Sequence, residues 1–316
     1  MTGPFSTSPL GLGLATVMRL PGRTDQLRVL DAAYSSGFRH FDVAPSYGLG
    51  RAEELLGRWL ASRSVDVTVA TKVGLPPSRV AKRLARIQGP LRRGLTASPR
   101  LRQWVKARSA LATAAPAAPS VGQIEDSLAA SVREIGRSPD VLLLHEVPTD
   151  ALGDAEVSAL RRLREEGLVS HIGASGPSEV AELGAMRLAT DSVVVQMPVD
   201  LRLDGAIDDG TKAPVVRRLR YGLLSRHLEP LVECLQSAEL VRSVESLAGL
   251  PLRTRTDVAN LLVLVAVNRW PGDTLLVGST NEANLRKLGA AVHADERWPT
   301  DTLAEICREL QPYFRP

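Results

Sequence analysis

Short apolar runs recur along this chain, and a segment with helical spacing follows most of them. Leu10–Ala15, Phe38–Asp42, Val67–Lys72, Asp140–His145, Ser170–Ala174, Ser192–Met197 and Thr274–Val277 are dominated by aliphatic and β-branched residues, and Val215–Tyr221 reads as an eighth run. The intervening segments, among them Asp25–Ser36, Ala52–Ala61, Val121–Ile135, Asp154–Glu166, Pro177–Leu188, Thr254–Asn268, Glu282–Val292 and Thr302–Leu310, read as helices from their apolar spacing and flanking residues. In Asp25–Ser36 the expected apolar face is Leu27, Leu30, Ala33 and Tyr34; Asp154 stands where a cap belongs and Gly167 where that helix must stop. A strand that is apolar throughout has to be covered on both faces, so strands alternating with helices demand a parallel sheet that is sandwiched or closed. Eight such units in 316 residues predict a single α/β domain over residues 1–316, a (β/α)8 TIM barrel. Two stretches interrupt the pattern. A long basic loop follows strand 3, and an irregular region surrounds strands 6–7, where residues 198–226 carry little periodicity.

Composition narrows the setting. Hydrophobic residues are 44% and charged residues 23% of the chain, the balance of an ordinary folded protein. The two cysteines, Cys234 and Cys307, have neither disulfide-framework nor zinc spacing, which fits a reducing compartment. The N-terminus lacks a basic region ahead of its apolar stretch, so no signal peptide is read. The longest apolar run, Leu261–Val267, is too short for a bilayer. The expected location is cytoplasmic, with no membrane partner.

Barrel enzymes carry their chemistry at the C-terminal ends of the strands. Read there, strand two ends at Asp42 with Tyr47 in the following loop, strand three ends at Lys72 and strand four at His145. Each alone has an ordinary reading: a turn aspartate, a loop aromatic, a solvated lysine, a core histidine. Together they form a chemical set. A tyrosine with a pKa of about 10 is a poor acid at neutral pH. A neighbouring ammonium is expected to lower that pKa, a carboxylate to hold the ammonium, and a histidine to orient a carbonyl oxygen. Such a group suits proton donation to an aldehyde or ketone while hydride arrives from a cofactor. Gly11 and Gly13 lack the third glycine and the downstream acid of a dinucleotide fingerprint, and serve either a close backbone approach or a bend. No metal site is read, because His40, His171, His227 and His293 lack ligand spacing.

These motifs carry a resemblance. GFRHFDVAPSYGLGRAEELLGRWL (Gly37–Leu60) is similar to the aldo-keto reductase signature around the catalytic aspartate and tyrosine. ATKVG (Ala70–Gly74), DVLLLHEVP (Asp140–Pro148) and GLVSHIGASGPS (Gly167–Ser178) resemble that family's lysine, histidine and strand-five segments, closest to a bacterial branch of sugar dehydrogenases and pyridoxal reductases. The resemblance implies Tyr47 as general acid, Lys72 and Asp42 as its tuning pair and His145 as the carbonyl-orienting group. It implies a nicotinamide cofactor, NADPH with NADH as the alternative. Ser175 and Gln196 would hold its carboxamide, with Gly13 beside the ring and Tyr221 a candidate for stacking on it. Gly278, Ser279, Thr280, Asn284 and Arg286, in GSTNEANLRKL, would take its adenosine phosphate end. Where the family often has asparagine after the strand-five serine, this chain has Gly176.

One feature lies outside this set. Between Leu75 and Ser120 there are ten basic residues and no acidic one, against 29 basic and 35 acidic elsewhere. The segment Arg79–Arg108 reads either as a solvated loop or as a cationic rim selecting an anionic carbonyl or alcohol substrate. Trp104 alone is too few aromatics for a nucleic-acid platform. Two functions compete: a working carbonyl reductase or alcohol dehydrogenase, and a catalytically weak cofactor-binding scaffold or sensor.

Overall fold

A computed structural model describes residues 8–75, 118–188, 193–201, 215–294 and 298–314. Eight parallel strands, β1 (Leu10–Gly13), β2 (His40–Asp42), β3 (Thr68–Val73), β4 (Val141–His145), β5 (His171–Ser175), β6 (Val193–Pro198), β7 (Val215–Tyr221) and β8 (Thr274–Val277), close in chain order into one barrel. The last pairing joins β8 to β1, Leu10 opposite Leu275 and Leu12 opposite Val277. β7 occupies the range read as the eighth apolar run, and its pairing with β6 shifts register between Val193 and Val194. The basic segment and residues 202–214, which precede β7, lie outside the described residues.

Strand alternation divides the side chains into two layers. Inside the barrel Ala70, Val141, Leu143, Val194, Leu219 and Leu276 form a small apolar cluster. Gly11 keeps that interior open, since a Cβ there would lie 2.8 Å from Leu276 Cδ2 and 3.1 Å from His40 Cδ2. Outside, Leu10, Leu12, Phe41 and Val69 pack against the helices in one large cluster, and Leu142, Leu144, Ile172 and Val195 in another. Helix Ala52–Ala61 is fastened to β3 by a buried hydrogen bond from Thr71 to Glu53, 2.6 Å.

One expectation is refined, one is corrected and one gap is filled. Helix Arg23–Ser35 buries Gln26, Val29, Leu30, Ala32 and Ala33, leaving Leu27 and Tyr34 half-buried; Gln26 takes the inner position because its amide donates to the Leu20 carbonyl at 2.8 Å. Helix Asp154–Glu165 is capped by Gly153, so Asp154 is its first residue, where its charge faces the positive end of the helix. Two helices that were not read, Leu223–Val232 and Ala238–Ala248, follow β7.

Candidate active site

The strand ends converge. β2 ends on Asp42 and β3 carries Lys72 opposite Leu143 of β4, whose last residue is His145. Lys72 is 1% exposed and Asp42 3%, and the two form a direct ion pair. The ammonium also donates to the Val43 carbonyl at 3.1 Å and lies 4.8 Å from the centre of the Tyr47 ring. Tyr47 comes from the turn after β2. That turn suits glycine at position 48, which has φ +57° and whose Cβ would sit 2.5 Å from Met18 Cε. The Tyr47 hydroxyl donates to Asp42 Oδ2 at 3.5 Å, and the His145 ring stands edge-on to it, 6.1 Å between centres.

A second chain of hydrogen bonds meets the same carboxylate. Gln196 Nε2 donates to Asp42 Oδ1 at 2.8 Å, while the Ser175 hydroxyl donates to the Gln196 carbonyl oxygen. Tyr221 donates to the Gly176 carbonyl at 3.2 Å. Asp42 thus receives donors from β3, β6 and the loop after β2, a satisfied buried anion.

The electrostatics depart from the expectation for Tyr47. Burial, and then the Asp42 carboxylate, push the Tyr47 pKa up rather than down. The carboxylate accepts a hydrogen bond from the phenol, which favours the protonated form, and Lys72 is paired with Asp42. Burial pushes the Lys72 ammonium below its ordinary range, opposed by Asp42. Burial, helped by Lys72, lowers His145 to about 3, so its imidazole is neutral at physiological pH.

Above these groups opens a cavity of about 310 Å³. Of the residues singled out in the sequence, Asp42, Tyr47, His145, Gly13, Ser175, Gln196, Tyr221 and Gly278 line it. Lys72 lies beneath, reaching it through Asp42 and Tyr47. Ser279, Thr280, Asn284 and Arg286 do not line it; they stand at the adjoining start of helix Glu282–His293. There the Asn281 side chain already accepts from the Ala283 and Asn284 amides, and Arg286 pairs with Glu282 at 2.8 Å. The sequence reading missed Thr16, Glu146, Leu223 and Leu224, which also line the cavity. Glu146 had one available signal, an acidic residue directly after a strand-end histidine.

Comparison with known proteins gives a consistent picture. A sequence profile of the aldo/keto reductase family matches residues 9–204. The pyridoxal 4-dehydrogenase of Microbacterium luteolum is 42% identical over 73 residues, which span only 21% of that enzyme and 22% of this chain. The pyridoxine 4-dehydrogenase of Escherichia coli (strain K12) is 28% identical over 97% of each chain. Among solved structures, an aldo-keto reductase of Bacillus halodurans in its holo form superposes with a TM-score of 0.64 at 18% identity, covering 98% of this chain and 95% of that one. An aldo-keto reductase of Klebsiella pneumoniae in complex with NADPH gives 0.63 at 19% identity, covering 98% and 92%.

Proposed function

Because the chain belongs to the aldo/keto reductase family, we propose that it is an oxidoreductase that interconverts an aldehyde or ketone and the corresponding alcohol, using NADPH. The observation that carries this reading is the buried Lys72–Asp42 pair under Tyr47, with His145 beside it at the floor of an open cavity. A scaffold or sensor has no need of an ammonium that is 1% exposed beneath a tyrosine.

The cavity suits a nicotinamide. A Cβ on Gly13 would meet nothing nearer than the Val277 carbonyl at 4.0 Å, so that wall is flat, while Ser175, Gln196 and Tyr221 offer neutral hydrogen-bonding groups on the other side. Ser175 and Gln196 would hold the carboxamide, and Tyr221 would lie against the ring. Bound there, the reduced cofactor supplies hydride to the carbonyl carbon. Gly278 opens the cavity towards Ser279, Thr280, Asn284 and Arg286, whose hydroxyls and positive charge favour a phosphorylated ribose and hence NADPH over NADH.

The residues divide the proton chemistry between them. His145, neutral because its pKa is about 3, donates a hydrogen bond to the carbonyl oxygen without serving as a proton source. Tyr47 keeps its proton because its pKa is raised, and gives it to the alkoxide as that forms, since an alkoxide is the stronger base. Lys72 then faces the resulting tyrosinate at close range, and stabilises it more than the neutral phenol. Asp42 holds Lys72 in place. The test is NADPH oxidation with a panel of aldehydes by the wild type and Tyr47→Phe. Wild-type turnover that survives Tyr47→Phe would remove Tyr47 as the acid, and NADPH binding without turnover of any carbonyl would favour the scaffold.

A further inference from the structure

Resting on that reading, we infer that Glu146 is a specificity-determining residue that selects carbonyl substrates carrying a positive charge. Among the described residues that line the cavity, Asp42 and Glu146 are the two carboxylates. Asp42 is fully engaged by Lys72, Tyr47 and Gln196. Glu146 is exposed, and no hydrogen bond or ion pair engages its carboxylate among the described residues. His145 beside it is neutral, and the remaining lining is glycine, hydroxyl, amide and aliphatic groups. Arg226 stands against Gly222, where a Cβ would lie 3.3 Å from its Nε, and it does not line the cavity.

The position of Glu146 is built. Its backbone has φ +55°, the sole non-glycine residue in that region among those described. A residue with a side chain pays for this conformation, which persists where surrounding structure imposes it and clusters at working sites. Here the imposing contact is its amide donating to the Ser175 carbonyl at 2.7 Å. The side chain then runs over Gly176, where a Cβ would lie 3.5 Å from both its Cα and its Cγ. Gly176 is also the residue whose carbonyl takes the Tyr221 hydroxyl. Both hydroxyls line the same cavity as Glu146; burial raises the pKa of Tyr47 and of Tyr221, and the Glu146 charge adds to both shifts, against Arg226 and Lys72 at Tyr221. A substrate whose carbonyl reaches Tyr47 and His145 must bring its remaining atoms past this anion. An ammonium or protonated ring nitrogen gains there, and a carboxylate or phosphate loses. This is the opposite sign to the selection expected from the basic segment.

The experiment compares three para-substituted benzaldehydes with NADPH: 4-(trimethylammonio)benzaldehyde, its neutral isostere 4-tert-butylbenzaldehyde, and the anionic 4-carboxybenzaldehyde. The expected wild-type order in kcat/KM is cation over isostere over anion, by about tenfold at the first step at low ionic strength. The ratio should shrink as salt is added, as a partly exposed charge requires. Glu146→Gln should cut the cation-to-isostere ratio at least about fivefold, and Glu146→Asp should restore most of it. A purely structural role would change all three substrates together and leave the ratios intact, which would overturn the inference. So would a wild-type preference for the carboxylate. The dissociation constants of the same aldehydes, measured by calorimetry, report the charge preference independently. Absence of turnover with every aldehyde therefore sinks the reductase reading, while the binding ratios still decide the role of Glu146.

Discussion

Two buried ion pairs brace different parts of the barrel, and they use different cations. Lys72 and Asp42 have side chains 0% and 5% exposed; Asp42 lines the cavity and Lys72 lies beneath it. Arg220 and Asp273, 5% and 14% exposed, join β7 to the turn before β8, 2.5 Å apart, with the guanidinium 4.0 Å from the centre of the Trp270 ring. Arginine offers a planar, permanently charged group that stacks and locks geometry, whereas lysine is a compact charge whose pKa moves on burial. Burial does push the Lys72 ammonium downward. On the proposed mechanism the pair under Tyr47 responds to a charge appearing nearby, while the pair on Trp270 stays as it is.

Four measurements would break or sharpen that contrast. The largest effect is expected for Tyr47→Phe, a loss of roughly 10²–10⁴-fold in kcat with the melting temperature nearly unchanged; Lys72→Arg should also fall at least about tenfold, because a planar fork cannot take the place of a point charge between Asp42 and the Tyr47 ring. Next, Arg220→Met should lower stability by about 3 kcal/mol in denaturant titrations, since it strands the Asp273 carboxylate, while leaving kcat within about twofold. Equal loss of turnover in Arg220→Met would erase the distinction between the pairs. Third comes pH. Burial lowers His40, like His145, to about 3. Both remain neutral in the fold while the unfolded chain binds protons below about 6.5, so their stabilisation is complete above that pH and is lost as pH falls towards 3. His40→Asn, which can still meet the Thr68 hydroxyl that His40 Nδ1 contacts at 2.8 Å, should reduce proton uptake on unfolding at pH 5 by about one proton. An unchanged uptake would mean that His40 titrates normally. The smallest effect is expected for Arg286→Ala. It should weaken NADPH only a few-fold and leave NADH unaltered, because the guanidinium is already shared with Glu282; equal weakening of both cofactors would detach Arg286 from the phosphate.

The strands were legible because burial on both faces writes itself as uninterrupted apolar sequence: Val141–Leu144 is buried at every position. The convergence of Asp42, Lys72 and His145 was legible because a parallel barrel gathers strand ends by construction. The first two helices after β7 were not read, although Ser237 and Gly249 do punctuate the second: the serine hydroxyl accepts from the Leu240 amide, and the glycine ends the helix at φ +69°. In the first, Pro230 stands inside the helix and obscures the pattern. The direction of the Tyr47 shift was not legible, because it depends on which partner Lys72 chooses, and sequence places Asp42 and Tyr47 equally near. Glu146 was passed over although it directly follows a strand-end histidine, because its backbone at φ +55° is not written in the residue type.

The closure of the barrel has a consequence for how this chain comes to exist. The Thr274 hydroxyl donates to the Ser8 carbonyl at 3.1 Å across 266 positions of sequence, and β1 finds its second neighbour in β8 alone. Contacts of such separation form late, because the loop they close must first lose its freedom. During synthesis from the N-terminus, β1 waits with one edge unpaired until Thr274–Val277 has emerged. A ribosome that stalls after helix Arg255–Arg269 leaves seven strands and two open edges, a species that invites association with its own copies.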